Sequence, residues 1–214
     1  LNKSVKGHDD FETQRPIIIA GFGRFGQVLT RLLNGVGTPP TVIEYDPNQI
    51  ELVRQFGFKA YYGDITRPDV LEAAGIAQAR LFVLAIDDPE DALETARYVK
   101  THYPHVRILA RARNRTHAFD FMALEIEVVR ETFFSALHLA EKMLREIGYD
   151  QAKAGRAVQH FRKHDERMMQ ESLSIRHDDE KLIENSHRAR EELARLLRQE
   201  FEDAAAEPAA TAPR

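Results

Sequence analysis

Apolar residues in the first part of the chain fall into short β-branched or aliphatic runs at 17–20, 41–45, 58–62, 80–86, 106–110 and 126–129. Amphipathic stretches separate them, at 25–34, 48–56, 68–74, 89–102 and 114–123. Strand-length runs alternating with helix-length stretches predict repeated βαβ units and a parallel sheet. Asp46-Pro47, Asp69, Asp88-Pro89 and Asn114 stand near the predicted helix starts, as caps or N1 residues.

After Glu131 the pattern changes. Phe133, Phe134, Leu137, Ala140, Leu144 and Ile147 form a helical stripe that ends at Gly148-Tyr149, with Thr132 as the expected N-cap. Residues 151–203 contain no proline and nearly balanced charges. Their narrow apolar stripe is Val158, Phe161, Met168 and Leu173, then Leu182, Leu193, Leu196, Leu197 and Phe201. Long helices that bury one edge on a partner and solvate the rest have this pattern. The expected organisation is a linker at 1–15, a nucleotide-binding domain at 16–135, a helical extension at 136–203 and a disordered tail at 204–214. The expected fold class is α/β, a Rossmann-like doubly wound parallel sheet followed by a helical C-terminal extension.

The turn Gly21-Phe22-Gly23-Arg24-Phe25-Gly26 follows the run Ile17-Ile18-Ile19-Ala20. The first glycine allows the tight turn, the second lets the backbone approach a diphosphate, and the third permits close helix–strand packing. The next apolar run ends in Glu44-Tyr45-Asp46, which places a carboxylate about 20 residues on, where a ribose-binding acid is expected. Loops 21–26, 44–47, 63–67 and 85–89 would all follow the carboxyl ends of parallel strands, where open α/β sheets bind ligands. Asp64 and Thr66, flanking Ile65, offer hydrogen bonds to a sugar or adenine, and Ile86-Asp87-Asp88 would bracket the base. Aspartate before a helix also caps it, which is the competing reading of Asp46 and Asp88. Arg24 places a cation in the glycine turn. Arg111, Arg113 and Arg115 would share one face if their strand persists, and would attract an anion or a partner's carboxylates.

Composition removes several classes. The 214 residues, 43% of them hydrophobic, suffice for one domain with an appendage, and the absence of cysteine excludes disulfides, thiol nucleophiles and Cys-based zinc sites. A net charge of −4 gives no basic footprint for nucleic acid. No apolar run approaches a membrane span, and the polar start at Leu1 reads as a piece cut from a longer protein. His160 and His164 have a metal-compatible spacing, but the flanking Arg162-Lys163 disfavour a cation. No nucleophile–base set is present, which weighs against an NAD-dependent oxidoreductase. Near charge neutrality of the helical region weighs against a redox-sensing transcription regulator.

Several segments carry a more specific resemblance: Ile18 to Gly26; Tyr62-Gly63-Asp64-Ile65-Thr66-Arg67-Pro68-Asp69 through Ala73-Ala74-Gly75; Ala85 to Pro89; Ile108 to Arg113; and Arg130-Glu131-Thr132-Phe133. Over residues 16–200 the chain resembles the cytosolic KTN (RCK-type) regulatory domain of bacterial Kef glutathione-gated potassium efflux systems. The resemblance implies a regulator and not a catalyst: a homodimer formed through helices beyond the Rossmann core, with AMP or NAD(H) at the glycine turn. Glutathione or its adducts would bind near the dimer interface and gate an antiporter domain of the same full-length chain in a bacterial inner membrane. An ancillary soluble oxidoreductase subunit would be a further partner. The residues implied at the nucleotide are Gly21, Phe22, Gly23, Arg24, Phe25, Gly26, Glu44, Tyr45, Asp46, Asp64, Ile65, Thr66, Ile86, Asp87, Arg111 and Arg113. Those implied at glutathione are Arg130, His164 and Asp165.

Overall fold

A computed structural model describes residues 15–206 apart from Phe56 and Phe58. The expected linker up to residue 14, the end of the tail from 207 and those two phenylalanines therefore lie outside the described residues, as does the side chain of Phe201. The chain divides into two compact units between Glu131 and Thr132.

In the first unit the predicted runs become strands β1 (Ile17–Ala20), β2 (Thr41–Glu44), β3 (Tyr61–Tyr62), β4 (Leu81–Leu84), β5 (Arg107–Ala112) and β6 (Glu127–Arg130). The intervening helices are α1 (Arg24–Gly35), α2 (Pro47–Gln55), α3 (Pro68–Ala73), α4 (Pro89–His102) and α5 (Arg115–Ala123). All neighbouring strands are parallel, in the order β3-β2-β1-β4-β5-β6. This is the doubly wound order, and its reversal between β1 and β4 opens the crevice in which such sheets bind ligands. Helices on both faces bury the middle of the central strands: Ile18, Ile19, Val42 and Phe82 are wholly inaccessible to solvent.

Helix starts follow the sequence chemistry apart from Asp69, which stands one place after Pro68, the first residue of α3, and two further exceptions. Asp88 accepts from the amides of Glu90 and Asp91, and Asn114 from that of His117. Asp46 accepts from the Asn48 amide. The first exception is the expected arginine face. β5 ends at Ala112 because Asn114 takes the cap position of α5, so Arg113 lies in the bend and Arg115 opens the helix. Arg111 turns inward and is 4% exposed, whereas Arg113 and Arg115 are exposed. The second exception is Thr132. It holds the N-cap position of the next helix, but with helical dihedrals and no side-chain cap hydrogen bond.

The second unit comprises α6 (Phe133–Glu146), α7 (Gln151–Ser172) and α8 (Asp179–Ala206), with a short 3-10 turn at Leu173–Ile175. α6 ends at Gly148, whose φ of +106° suits glycine, and the amide of Tyr149 returns to the Leu144 carbonyl. Asp150 caps α7 by accepting from the Lys153 amide. Contacts between Phe133 and Phe161, and between Arg162 and the Phe134 ring, make α6 and α7 antiparallel neighbours. α7 and α8 also run antiparallel. Arg167 meets Glu192 at 2.6 Å, and Asn185 donates to the Ser172 hydroxyl at 2.8 Å. Met168 of the expected stripe is buried, but so are His164, Ser172 and Asn185, which periodicity in apolar residues does not reveal.

His117 on α5 is 2% exposed, neither ring nitrogen has a hydrogen-bond partner among the described residues, and its ring packs 4.6 Å from that of Phe121. Burial pushes its pKa below the ordinary value. Asp120 opposes this shift, and Arg111 and Arg113 reinforce it. The unfolded chain therefore binds a proton at His117 at a pH where the folded chain does not. The stability this gives is present above the unfolded pKa of about 6.5 and is lost as pH falls below it, at up to ~1.4 kcal/mol per pH unit. Urea denaturation between pH 8 and 5 is expected to show this decline, and His117→Phe to flatten it. An equal decline in the variant would assign the pH dependence to other groups.

Candidate functional site

The glycine turn is built by close approach. A Cβ on Gly26 would lie 2.1 Å from the Gly21 carbonyl oxygen, so only glycine lets α1 pack this tightly on the end of β1. Gly21 itself has a φ of +97°, and a Cβ there would lie 2.6 Å from the Ala85 carbonyl oxygen at the end of β4. Gly23 differs from both: its Cβ position meets nothing within 4 Å, and its backbone is extended. It borders a cavity of about 470 Å³, within the range of small-ligand sites.

That cavity lies over the carboxyl ends of β1, β2, β3 and β4. Its lining includes Gly21, Glu44, Tyr45, Asp46, Asp64, Ile65, Thr66, Ile86 and Asp87. The turn at its foot leads into the N-terminus of α1, where free amides and the helix dipole favour an anion. The opposite wall is acidic throughout, with Glu44, Asp46, Asp64, Asp87, Asp88 and Asp91 and no lysine or arginine. Carboxylates accept hydrogen bonds from hydroxyl and amino groups. The site thus separates an anion-binding end from an acceptor-rich end.

Glu44 does more than line the wall. One carboxylate oxygen accepts from the Phe22 amide at 2.6 Å, and the other from the Tyr45 and Asp46 amides at 2.8 and 2.9 Å. A carboxylate has about four acceptor positions, so about one remains for a ligand hydroxyl. Asp64 accepts from both the amide and the hydroxyl of Thr66, which fixes this short loop. Partial burial, followed by the charges of Asp88, Asp64, Glu94 and Glu90, pushes the Asp91 carboxyl up.

A second cavity, of about 290 Å³, adjoins the turn and is bordered by Gly23, Arg24, Phe25, Asp87, Arg111 and Glu131. Arg24 extends into solvent there, with its guanidinium 3.7 Å from Glu131. Phe22, expected at the nucleotide, belongs to the core instead: it lines neither cavity, its amide donates to Glu44 and its carbonyl accepts from Gln27. Arg113 and Arg130 line neither cavity; Arg130 is half-buried at the end of β6. In the helical unit His164 is 6% exposed, with Nε2 3.5 Å from Glu192, and Asp165 is half-buried. Sequence reasoning missed Gln49, Asp91 and Glu131. Asp91 had a signal, one turn after the cap at Asp88, whereas Glu131 reaches the site only through the pairing of β5 with β6.

The open and closed glycines make separable predictions. Gly26→Ala is expected to cost about 3 kcal/mol or more, because the clash is with backbone. Gly23→Ala is expected to stay within about 1 kcal/mol of the parent. Urea melts of the two variants check both, and equal losses would contradict the geometry.

Comparison with known proteins bears on this arrangement. Residues 17–131 match the TrkA-N domain and residues 135–212 the potassium efflux system KefB C-terminal domain. A solved structure of the Shewanella denitrificans Kef CTD in AMP-bound form is 41% identical, with a TM-score of 0.69, covering 74% of this chain and 98% of that one. The TrkA-N domain of inner membrane protein YbaL from Escherichia coli is 21% identical (TM-score 0.54; 65% of this chain, 100% of that one). The GsuK channel bound to NAD is 24% identical (TM-score 0.53; 60% of this chain, 24% of that one). Those two likenesses concern the fold alone. A TrkA-N domain followed directly by a KefB C-terminal domain, with a Kef relative alike over most of the chain, places this protein in the Kef family, as the KTN regulatory module of a potassium efflux system.

Proposed function

We propose that the module binds an adenine nucleotide, AMP or NAD(H), in the larger cavity, and that this nucleotide holds a homodimer whose response to glutathione or its adducts gates an attached potassium/proton antiporter. The observation that carries the nucleotide reading is the pairing of an open Gly23 with a wall of carboxylates: phosphate at the glycine turn, ribose and base towards Glu44, Asp64 and Asp87. The AMP-bound state of the Shewanella relative supports it. Arg24, exposed beside the turn, is the cation that reaches the phosphate.

The glutathione part draws on the match to the KefB C-terminal domain. Arg130, and Asp165 in the helical unit, are its candidate contacts, whereas the burial of His164 favours a packing role for that residue. A ligand shifts an equilibrium only by its differential affinity for two states, and a pocket at a dimer interface supplies that difference between free glutathione and a bulkier adduct. The antiporter domain lies in a bacterial inner membrane with this module on the cytoplasmic side, within reach of an ancillary soluble oxidoreductase subunit. Among the described residues no helix is long and apolar enough to cross a membrane.

Thermal unfolding with AMP, NADH, glutathione and a bulky glutathione conjugate in turn tests both parts. A ligand at 100 times its Kd stabilises by about 2.7 kcal/mol, which for a chain of this size is a rise in Tm of roughly 5 °C or more. AMP or NADH is expected to give that rise. Gly23→Ala is expected to abolish it and Arg24→Ala to weaken affinity about tenfold, the loss of one charge-assisted hydrogen bond. No shift with any nucleotide defeats the nucleotide reading; nucleotide shifts with no response to glutathione, or a monomer in gel filtration, defeat the gating part.

A further inference from the structure

The guanidinium of Arg111 is buried and over-subscribed. A guanidinium carries one hydrogen on Nε and two on each Nη. Nη2 of Arg111 faces three acceptors: the carbonyls of Ala85 and Ile86 at 2.8 and 2.7 Å, and the Asp87 carboxylate at 2.8 Å. Nη1 donates to Glu131 at 2.7 Å, and Nε has no partner. Two hydrogens therefore serve three acceptors on the side of the ligand cavity. Of the three, Asp87 gives way most readily, since its side chain is 79% exposed and borders both cavities, whereas the carbonyls are fixed at the end of β4.

Glu131 is also shared. One of its oxygens takes the hydrogen bond from Arg111, and the other lies 3.7 Å from Arg24. Glu131 is the last residue of the first unit, its amide donates to the Ala112 carbonyl, and two residues later the chain enters α6. A chain of charge contacts thus runs from the cavity wall at Asp87, through Arg111, to the segment that leads into the helical unit.

We propose that Arg111 is a positioning residue that reports occupation of the cavity wall at Asp87 to Glu131, and through Glu131 to the start of α6. The inference rests on the nucleotide reading above. A hydroxyl or amino group of the ligand that donates to Asp87 removes one acceptor from Nη2, which leaves two hydrogens for two carbonyls. A phosphate at the glycine turn draws Arg24 from Glu131. With Asp87 turned to the ligand, Arg111 keeps the two carbonyls on Nη2 and Glu131 on Nη1; with Arg24 drawn to the phosphate, Glu131 answers to Arg111 alone, so the segment it anchors is held in one arrangement instead of two and its amides open less often.

The test uses the whole 214-residue chain, with AMP as the probe. Calorimetry measures binding, and amide hydrogen exchange is followed over residues 130–136 with and without AMP. In the parent, AMP is expected to slow exchange in this segment about threefold or more. Glu131→Ala, compared with the parent when both are saturated with AMP, is expected to lose that slowing. A role confined to stability would lower Tm and keep the AMP-dependent difference, and that result overturns the proposal, as does AMP binding with unchanged exchange in the parent. Either leaves the nucleotide reading standing, whereas no AMP binding in the parent overturns both. Should Glu131→Ala fail to fold, Glu131→Gln is the substitute: it keeps an oxygen for Arg111 and gives up the charge that faces Arg24. It is expected to cut the slowing by about half, and an undiminished difference there overturns the proposal.

Discussion

The approach of α1 to the end of β1 is the constraint on which the site depends. It is set where the Gly21 carbonyl oxygen occupies space that any side chain at residue 26 would need. With α1 that close, its N-terminal amides open onto the strand ends and Gly23 is left bordering the cavity. Widening the gap would carry the helix dipole away from the anion position, and that interaction falls off within the first turn. Gly21 adds the second half of the constraint. A Cβ there would run into the Ala85 carbonyl, so the β1 turn and the β4 end approach as closely as glycine allows, and the cavity floor includes backbone from both. The amide of Gly21 completes the arrangement by donating to the Ile43 carbonyl of β2.

Around that floor most of the carboxylates already have work within the protein. Asp88 and Asp46 hold helix starts, Asp64 holds Thr66, and Glu44 ties the β1 turn to the β2 end through three amides. Capping and ligand binding are therefore not rival roles here. An aspartate held by backbone amides keeps a fixed position, which is what recognition of a hydroxyl group requires. The same preorganisation means that the wall needs little side-chain ordering on binding, a cost that exposed and unrestrained carboxylates would carry.

The sheet was legible from sequence because each strand is a short apolar run between turn residues and the starts of α2, α4 and α5 carry the capping side chains Asp46, Asp88 and Asn114. Pro68 at the start of α3 and Asn114 before α5 are local signals, readable one at a time. The glycine turn was legible for the same reason, since each glycine answers to a separate steric demand. Arg111 was not. Alternation along a strand predicts a shared face for Arg111, Arg113 and Arg115, but the cap at Asn114 ends the strand first, and the register of β4, β5 and β6 brings Ala85, Asp87 and Glu131 around the one guanidinium. Long-range pairings of this kind leave no local trace. The buried polar layer of the helical unit escaped for a related reason. His164, Ser172 and Asn185 look like solvent-facing residues until α7 and α8 are laid against each other.

The acidic wall also constrains how an anionic ligand can enter. A phosphate about 8 Å from one carboxylate is repelled by about 0.5 kcal/mol per unit charge in bulk water, and by about 2 kcal/mol at an effective dielectric constant near 20. With six carboxylates along the wall, a ligand placed with its charge towards Asp64 and Asp91 meets several such terms at once, whereas one with its charge at the glycine turn meets amides, a helix N-terminus and Arg24. Burial first, and then the charges of Asp88 and Asp64 on the same wall, push the Asp91 carboxyl up. A ligand that brings hydrogen-bond donors to that wall and keeps its charge away from it relieves the repulsion, and one that is anionic along its whole length increases it. Such a wall favours a molecule with charge at one end and hydroxyl or amino donors at the other, with the charged end towards the glycine turn.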